Sequence, residues 1–178
     1  MSIIRKRQNA VNSDGARHTG AGAVLTGLII PVIRLEALFS RAGEAIAATG
    51  GQTLARWLTL EMVAGQPATV AQVARRLGLT RQSVQRIADL LEKDGLTRYV
   101  DNPAHQTSKL VRITARGRQT LRAIQTAQRA WANSLGARIG EANLRQASRV
   151  VEQLTRLLRD DSASGRRAGA GRQLPAQR

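Results

Sequence analysis

A short segment near the middle of the chain carries arginine and glutamine at the spacing of one helix face. Its polar members are Arg81, Gln82, Ser83, Gln85 and Arg86. Arginine and glutamine side chains present the donors and acceptors that match guanine and adenine edges in the major groove of DNA. The apolar residues between them recur at helical spacing and predict an opposite face that is turned inward. The predicted chemistry is therefore noncovalent recognition of base edges in double-stranded DNA.

Capping signals predict the two helices that position these side chains. Thr69 and Gln72 form a capping box at the start of a helix over 70–77, and Gly78 ends that helix. Thr80 is placed to cap a second helix over 81–93, which carries the arginine and glutamine face and ends before Gly95. Two short helices joined by a tight, glycine-containing turn are typical of a helix-turn-helix.

A β-hairpin is predicted directly after the second helix. Residues 96–100 and 110–114 are predicted strands, and the polar loop between them, residues 101–109, contains the turn signal Asn102-Pro103. A helix-turn-helix followed by a hairpin is a winged helix. We expect the hairpin, called the wing below, to lie along the DNA backbone or the minor groove.

Amphipathic helices flank this segment on both sides. The first apolar stripe consists of Leu25, Leu28, Val32, Leu35, Phe39, Ala42 and Ile46. Pro31 either kinks this helix or marks its beginning, and Gly50-Gly51 ends it. A short helix is predicted over 53–63, and two further stripes run from Leu121 to Leu135 and from Leu144 to Leu158. The predicted fold class is mostly α with a small β wing.

Charge is concentrated in the same central segment. The formal net charge is +16, and residues 69–118 carry ten Lys and Arg against four Asp and Glu. Such an excess favours a polyanionic partner. Residues 1–19 and 162–178 are also basic, lack apolar periodicity and are predicted to be disordered tails.

Several function classes find no support in the sequence. There is no cysteine, and the two histidines, His18 and His105, are predicted in a tail and in the wing, so a metal site is not expected. The acidic residues form no catalytic constellation, and we expect neither an enzyme nor a cofactor. The longest apolar run, residues 23–33, is interpreted as too short to span a bilayer, so we expect a cytoplasmic protein without a membrane partner.

The central segment resembles the MarR family of bacterial transcriptional regulators over residues 52–118. The matching stretches are Ala55-Arg56-Trp57-Leu58, residues 69–86, Leu91-Glu92-Lys93-Asp94-Gly95-Leu96 and residues 109–117. With the flanking helices, which this family uses for dimerisation, the resemblance extends over roughly residues 22–160. One departure concerns the wing, where the family's Asp-x-Arg is replaced by His105 and Thr107. Lys109 or Arg98 would then have to substitute for the missing arginine, or the wing contributes less.

The resemblance implies a regulator, most simply a repressor, that binds a pseudo-palindromic operator as a homodimer and is released by a small-molecule effector. The expected DNA-binding residues are Thr80, Arg81, Gln82, Ser83, Gln85, Arg86, Arg98, His105, Gln106, Thr107, Ser108 and Lys109. Phe39 and Trp57 are candidates for an effector pocket, although core packing is the favoured role of each in a chain with so few aromatic residues. The predicted segments are a basic tail (1–19), an N-terminal dimerisation helix (20–51), a winged helix-turn-helix (52–118), C-terminal dimerisation helices (119–161) and a second tail (162–178).

Two other interpretations stay open at this stage. A winged helix can serve as a protein-interaction module, because a fold does not dictate a function. A basic protein could also coat nucleic acid without sequence preference, as an architectural or adaptor protein. The ratio of specific to non-specific affinity separates the last interpretation from a regulator.

Overall fold

The computed structural model describes residues 18–105 and 107–170 of the chain. The elements are α1 (Gly20–Ala48), α2 (Leu54–Ala64), β1 (Ala68–Thr69), α3 (Val70–Leu77), α4 (Arg81–Lys93), β2 (Thr97–Val100), β3 (Leu110–Ile113), α5 (Ala115–Ile139) and α6 (Glu141–Ala170). Most of the predicted tails, residues 1–17 and 171–178, and the predicted wing residue Gln106 lie outside the described residues.

The caps that fix α3 and α4 are those predicted from the sequence. The Thr69 hydroxyl accepts from the Gln72 amide at 3.2 Å, and the Gln72 side chain accepts from the Thr69 amide at 2.8 Å. Gly78 ends α3 with φ of +67°, a left-handed conformation in which glycine carries no Cβ penalty. Thr80 then accepts from the Ser83 amide at 3.1 Å. Both helices therefore begin and end at the predicted residues.

A small antiparallel sheet follows the order β1-β3-β2. Tyr99 pairs with Val111, and Arg98 pairs with Arg112. Strand β1, only two residues long, pairs with β3 and was not predicted. Because β1 leads directly into α3, it fixes the start of the helix-turn-helix to the base of the wing.

One hydrophobic core supports α2 to α5 and the sheet. Leu60, Val63, Val84, Leu91, Val111 and Ile124 are among its fully buried members. Gly50 lies close against this core, since an added Cβ would stand 2.6 Å from Ile124 Cγ1. The core therefore holds α4 by its apolar face, as the periodicity predicted.

Helix α1 begins at Gly20 and continues through Pro31, so the proline does not mark its beginning. The division of the chain into two compact units falls between Ala45 and Ile46. Among the described residues, α1 is the one helix long and apolar enough to cross a membrane by length and composition alone. The expectation that the apolar stretch is too short was therefore wrong, because Gly27 and Pro31 do not interrupt the helix. Core helices of soluble proteins and signal sequences meet the same criterion.

Helix α6 is longer than its apolar stripe. It continues to Ala170 and so extends into the segment 162–178 that was predicted to be a tail. Alanine, serine and arginine are compatible with a helix even where no apolar stripe marks it. Along α6 the side chains of Leu144, Val151 and Leu158 are 40%, 61% and 65% exposed within this chain.

Candidate nucleic-acid interface

Helix α4 carries the candidate reading face, and its orientation follows from its buried side. Val84, Ala88 and Leu91 are buried in the core. The polar residues of the first turns, Arg81 and Gln82, are exposed on the other side. A helix held in this way presents its N-terminal side chains outward, as recognition helices do in the major groove. We call α4 the candidate recognition helix.

Not all the predicted base-reading side chains are equally available. Thr80 and Ser83 are engaged with each other, because the Thr80 hydroxyl donates to Ser83 Oγ at 2.8 Å while it caps the helix. Arg81, Gln82 and Arg86 are exposed, and their side chains form no hydrogen bond or ion pair with another described residue. These three side chains have their full donor sets available for an external partner.

Gln85 belongs to a network that joins the candidate recognition helix to the wing. Its Nε2 donates to Asp89 Oδ1 at 2.8 Å and to the Tyr99 hydroxyl at 2.7 Å. The Tyr99 hydroxyl donates to Asp89 Oδ1 at 2.7 Å. Burial, followed by the hydrogen bond to the Asp89 carboxylate, raises the pKa of Tyr99 well above its ordinary value. Gln85, expected to read bases, therefore positions the wing in this structure.

A second contact fixes the same strand to the same helix. The Glu92 carboxylate accepts a hydrogen bond from the Tyr99 amide at 2.9 Å. Sequence reasoning did not single out Tyr99 as a functional residue. The signal that could have found it is the alternation along β2, which turns Tyr99 toward α4.

The tip of the wing is organised by its own short-range hydrogen bonds. Asn102 Oδ1 accepts from the Ala104 amide at 3.1 Å, and Asn102 Nδ2 donates to Ser108 Oγ at 3.4 Å. The His105 carbonyl accepts from the Ser108 amide at 3.2 Å. Thr107 and Lys109 are exposed. The wing is thus a closed loop with one lysine beside its tip.

A cleft of about 690 Å³ separates the wing from the helix-turn-helix. Arg81, His105 and Lys109 line it, together with Thr107, Ser108, Tyr99, Gln85 and the first residues of α3. The cleft brings the predicted wing residues His105, Thr107, Ser108 and Lys109 to the same place as the N-terminal end of α4. Two cations in one open cleft suit a strand of phosphates.

Arg98 does not belong to this cleft. It pairs with Arg112 on the face of the sheet opposite to Tyr99 and Val111. Because Tyr99 faces α4, Arg98 points away from the candidate recognition helix. Of the two residues considered as substitutes for the family's wing arginine, Lys109 lines the cleft beside α4 and Arg98 does not.

An ion pair joins the C-terminal end of α4 to α2. Arg56 of α2 donates to the Asp94 carboxylate, which ends α4. The hydrogen bond from the Arg56 guanidinium, and then its charge, hold the pKa of Asp94 below its ordinary value. This contact fixes the C-terminal end of α4, while the Tyr99 network fixes its middle.

The two candidate effector-pocket residues have different surroundings. Trp57 is buried in the hydrophobic core, and its indole Nε1 donates to Glu61 Oε1 at 3.2 Å. Glu61 also accepts from Gln125 Nε2 at 3.0 Å. Trp57 therefore packs as a core residue, and its partner Glu61 links α2 to α5. Phe39 lies on α1 and is 50% exposed within the chain.

The fold and this interface define a winged helix-turn-helix protein of the DNA-binding type. A sequence model of the MarR family matches residues 51–106, which include α2, α3, α4, the first strand of the wing and part of its loop. An uncharacterized protein of Mycobacterium tuberculosis (strain H37Rv) is 47% identical over 97 residues, which cover 54% of this chain and 68% of the relative. A protein of Mycobacterium bovis matches to the same extent. The chain belongs to the MarR family.

Solved structures show the same fold over most of the chain. A MarR family transcription regulator has a TM-score of 0.69 and 24% identity, and the match covers 80% of this chain and 98% of that one. MarR of Staphylococcus aureus in complex with salicylate and kanamycin has a TM-score of 0.69 at 15% identity, covering 78% and 94%. CouR of Rhodococcus jostii bound to p-coumaroyl-CoA has a TM-score of 0.64 at 18% identity, covering 69% and 87%. The chain therefore has the fold of MarR family transcription regulators, which implies DNA-binding regulation.

Proposed function

We propose that this protein is a sequence-specific transcriptional repressor that binds a pseudo-palindromic operator as a homodimer. The observation that carries the proposal is the exposed triplet of Arg81, Gln82 and Arg86 on the candidate recognition helix, with no partner among the described residues. Arginine donates two hydrogen bonds to guanine, whereas glutamine donates one hydrogen bond to adenine N7 and accepts one from adenine N6. Available donors of these types, on a helix that is fixed at its middle and at its C-terminal end, favour base recognition over a face that only contacts solvent.

We infer a dimer because one recognition helix cannot specify a site by itself. A single recognition helix contacts only a few base pairs, too few to define one site in a genome. Helices α1 and α6 each expose apolar side chains within this chain, among them Leu25, Phe39, Val151 and Leu158. Burial of these side chains against a second copy would remove them from water. Residues 20–51 and 119–161 are accordingly proposed as dimerisation segments and residues 52–118 as the DNA-binding domain.

Release by a small-molecule effector is the remaining part of the proposal. Two proteins of the same fold have been solved with small molecules, salicylate and kanamycin in one and p-coumaroyl-CoA in the other. A ligand that prefers one arrangement of two linked DNA-binding domains would lower the affinity for a palindrome. We place the protein in the cytoplasm, where its DNA partner is found.

The competing function is sequence-independent coating of nucleic acid, and Arg86→Ala separates the two. Loss of a bidentate base contact should weaken binding to a selected operator by about 1–3 kcal/mol, roughly 5- to 150-fold, and relax the preference at one base pair. Lys93→Ala removes a cation from the other end of α4 and serves as the matched control. An equal loss on operator and scrambled duplexes would assign Arg86 to a phosphate and favour the coating function.

A further inference from the structure

The register of the wing sets two arginines directly opposite each other. Arg98 of β2 and Arg112 of β3 are paired residues on the exposed face of the sheet. Tyr99 and Val111, one position further along each strand, lie on the other face, toward α4 and the core. Like charges at directly opposed positions of an antiparallel pair are destabilising. The fold itself gives no reason for this pairing.

A third arginine joins them from the start of α5. Arg118 Nη1 donates to the Ile113 carbonyl at 3.4 Å, which holds its guanidinium beside β3. Arg98, Arg112 and Arg118 line one cleft of about 440 Å³, together with the end of α2 at Gly65 and Pro67. We call these three residues the arginine surface.

Nothing in the described part of the chain neutralises the arginine surface. The described residues that line the cleft include no aspartate or glutamate. The ion pairs Arg56–Asp94 and Arg145–Glu141 lie elsewhere in the described part of the chain. Three guanidinium groups in one cleft without an acidic lining residue create a positive potential that attracts an anion.

We propose that the arginine surface binds backbone phosphates of nucleic acid, on the side of the sheet opposite to the candidate recognition helix. The planar guanidinium fork fits a phosphate bidentately, and three forks in one cleft match a run of phosphates better than they match a single small anion. The contact is independent of sequence, because phosphates carry no base information. The inference rests on the proposed DNA-binding function and adds a second contact surface to it.

The phosphates could belong to either of two sources. They could flank the operator on the same duplex, or they could belong to a second duplex that the dimer bridges. A duplex limited to the operator lacks flanking phosphates, whereas a longer duplex supplies them. The effect of the arginine surface should therefore appear only on the longer duplex in the first case. In the second case it should appear as a second bound duplex at high DNA concentration.

The test is the salt dependence of binding for the full chain with Arg98, Arg112 and Arg118 all replaced by Gln. Each lost phosphate contact lowers the slope of log K against log salt by about 0.9, so the slope should fall by about 2 to 3 on a long random duplex. The ratio between operator and scrambled affinities should stay unchanged. The control replaces Arg138, Arg149 and Arg156, exposed arginines of α5 and α6, by Gln.

Two results would overturn the inference, namely a wild-type slope in the triple variant or an equal fall of the slope in the control. Circular dichroism checks the fold of each variant. Single Gln variants, expected to lower the slope by about 1 each, replace the triple variant if it unfolds. Restoration of the slope by Lys at the three positions supports a charge contact. If the triple variant lowers the slope but the wild-type protein shows no preference for an operator, the arginine surface is a phosphate contact and the proposed function is rejected.

Discussion

The Tyr99 hydroxyl donates a hydrogen bond to Asp89 Oδ1 at 2.7 Å, which ties the first strand of the wing to the middle of the candidate recognition helix. Gln85 completes the network through its two hydrogen bonds to the same oxygen atoms. Side-chain networks of this kind hold two elements at a fixed distance, because several donors and acceptors must be broken together. The wing and α4 are thereby presented to DNA as one unit.

Tyr99 can be followed directly, because it is the only tyrosine in the sequence. Its phenolate absorbance should appear at a pH above the ordinary value of 10 in the native protein. The pKa of Tyr99 is higher in the folded protein than in the unfolded chain. The network therefore stabilises the fold fully below the unfolded pKa of Tyr99, and this stabilisation is lost as the pH rises through the folded pKa. Asp89→Asn should lower the native midpoint, and urea should bring it to the ordinary value. A native midpoint near 10 would show that the network is not formed.

The Arg56–Asp94 ion pair should make stability fall in acid. The pKa of Asp94 is held below its ordinary value of 3.8, chiefly by the hydrogen bond from Arg56. The ion pair therefore contributes to the free energy of unfolding above pH 3.8, and this contribution is lost as the pH falls toward the pKa of Asp94 in the folded protein. Asp94→Asn should lower the urea midpoint at neutral pH, and the difference from wild type should shrink in acid. Asp101→Asn, in the exposed wing loop, is the control. A difference that persists unchanged below the ordinary pKa would contradict the ion pair.

Gly117 packs against the base of the wing. A Cβ on Gly117 would stand 2.1 Å from the Leu96 carbonyl oxygen, a backbone atom that cannot move independently of the strand. Gly117→Ala should therefore destabilise the protein by about 1–3 kcal/mol in urea unfolding, as overpacking of a core does. Gly136 lies in the same helix, and the nearest atom to its Cβ would be 3.8 Å away. Gly136→Ala should be neutral or stabilising, because alanine favours a helix over glycine. Equal effects of the two substitutions would contradict the close packing at Gly117.

The dimer proposed above should depend on the apolar face of α6. Leu154→Asp with Leu158→Asp places two charges on that face and should convert the protein to a monomer in sedimentation at micromolar concentration. Gln153→Asp adds a charge to the same helix at an exposed polar position and should leave the dimer intact. A wild-type monomer near 19.2 kDa would reject the dimer, and an intact dimer of the double variant would exclude this face of α6.

The sequence predicted the helix-turn-helix accurately because its ends carry local signals. Thr69, Gly78 and Thr80 cap the helices through contacts within three or four residues, and such contacts can be recognised from the sequence. Strand β1 was missed because two residues show no periodicity. The start of α5 was missed because its first apolar stripe residue, Leu121, lies after the first turn.

Contacts between elements account for what was not predicted at the site. Gln85 looked like a base-reading residue because its neighbours on the helix face are Arg81, Gln82 and Arg86. Its partner Tyr99 is separated from it by 14 residues, so only the packed wing reveals the hydrogen bond. Arg112 and Arg118 likewise have no motif of their own. The strand register and the first turn of α5 bring them to Arg98.

Selection of bound duplexes from a random pool at physiological salt measures sequence specificity and symmetry together. We expect an inverted repeat with half-site centres about 10 base pairs apart, the spacing that a two-fold symmetric pair of recognition helices requires. The selected duplex should bind roughly a thousandfold or more tightly than random duplex. A pool without a shared motif, bound with uniform and salt-sensitive affinity, would contradict sequence-specific recognition by α4 and favour sequence-independent coating of nucleic acid.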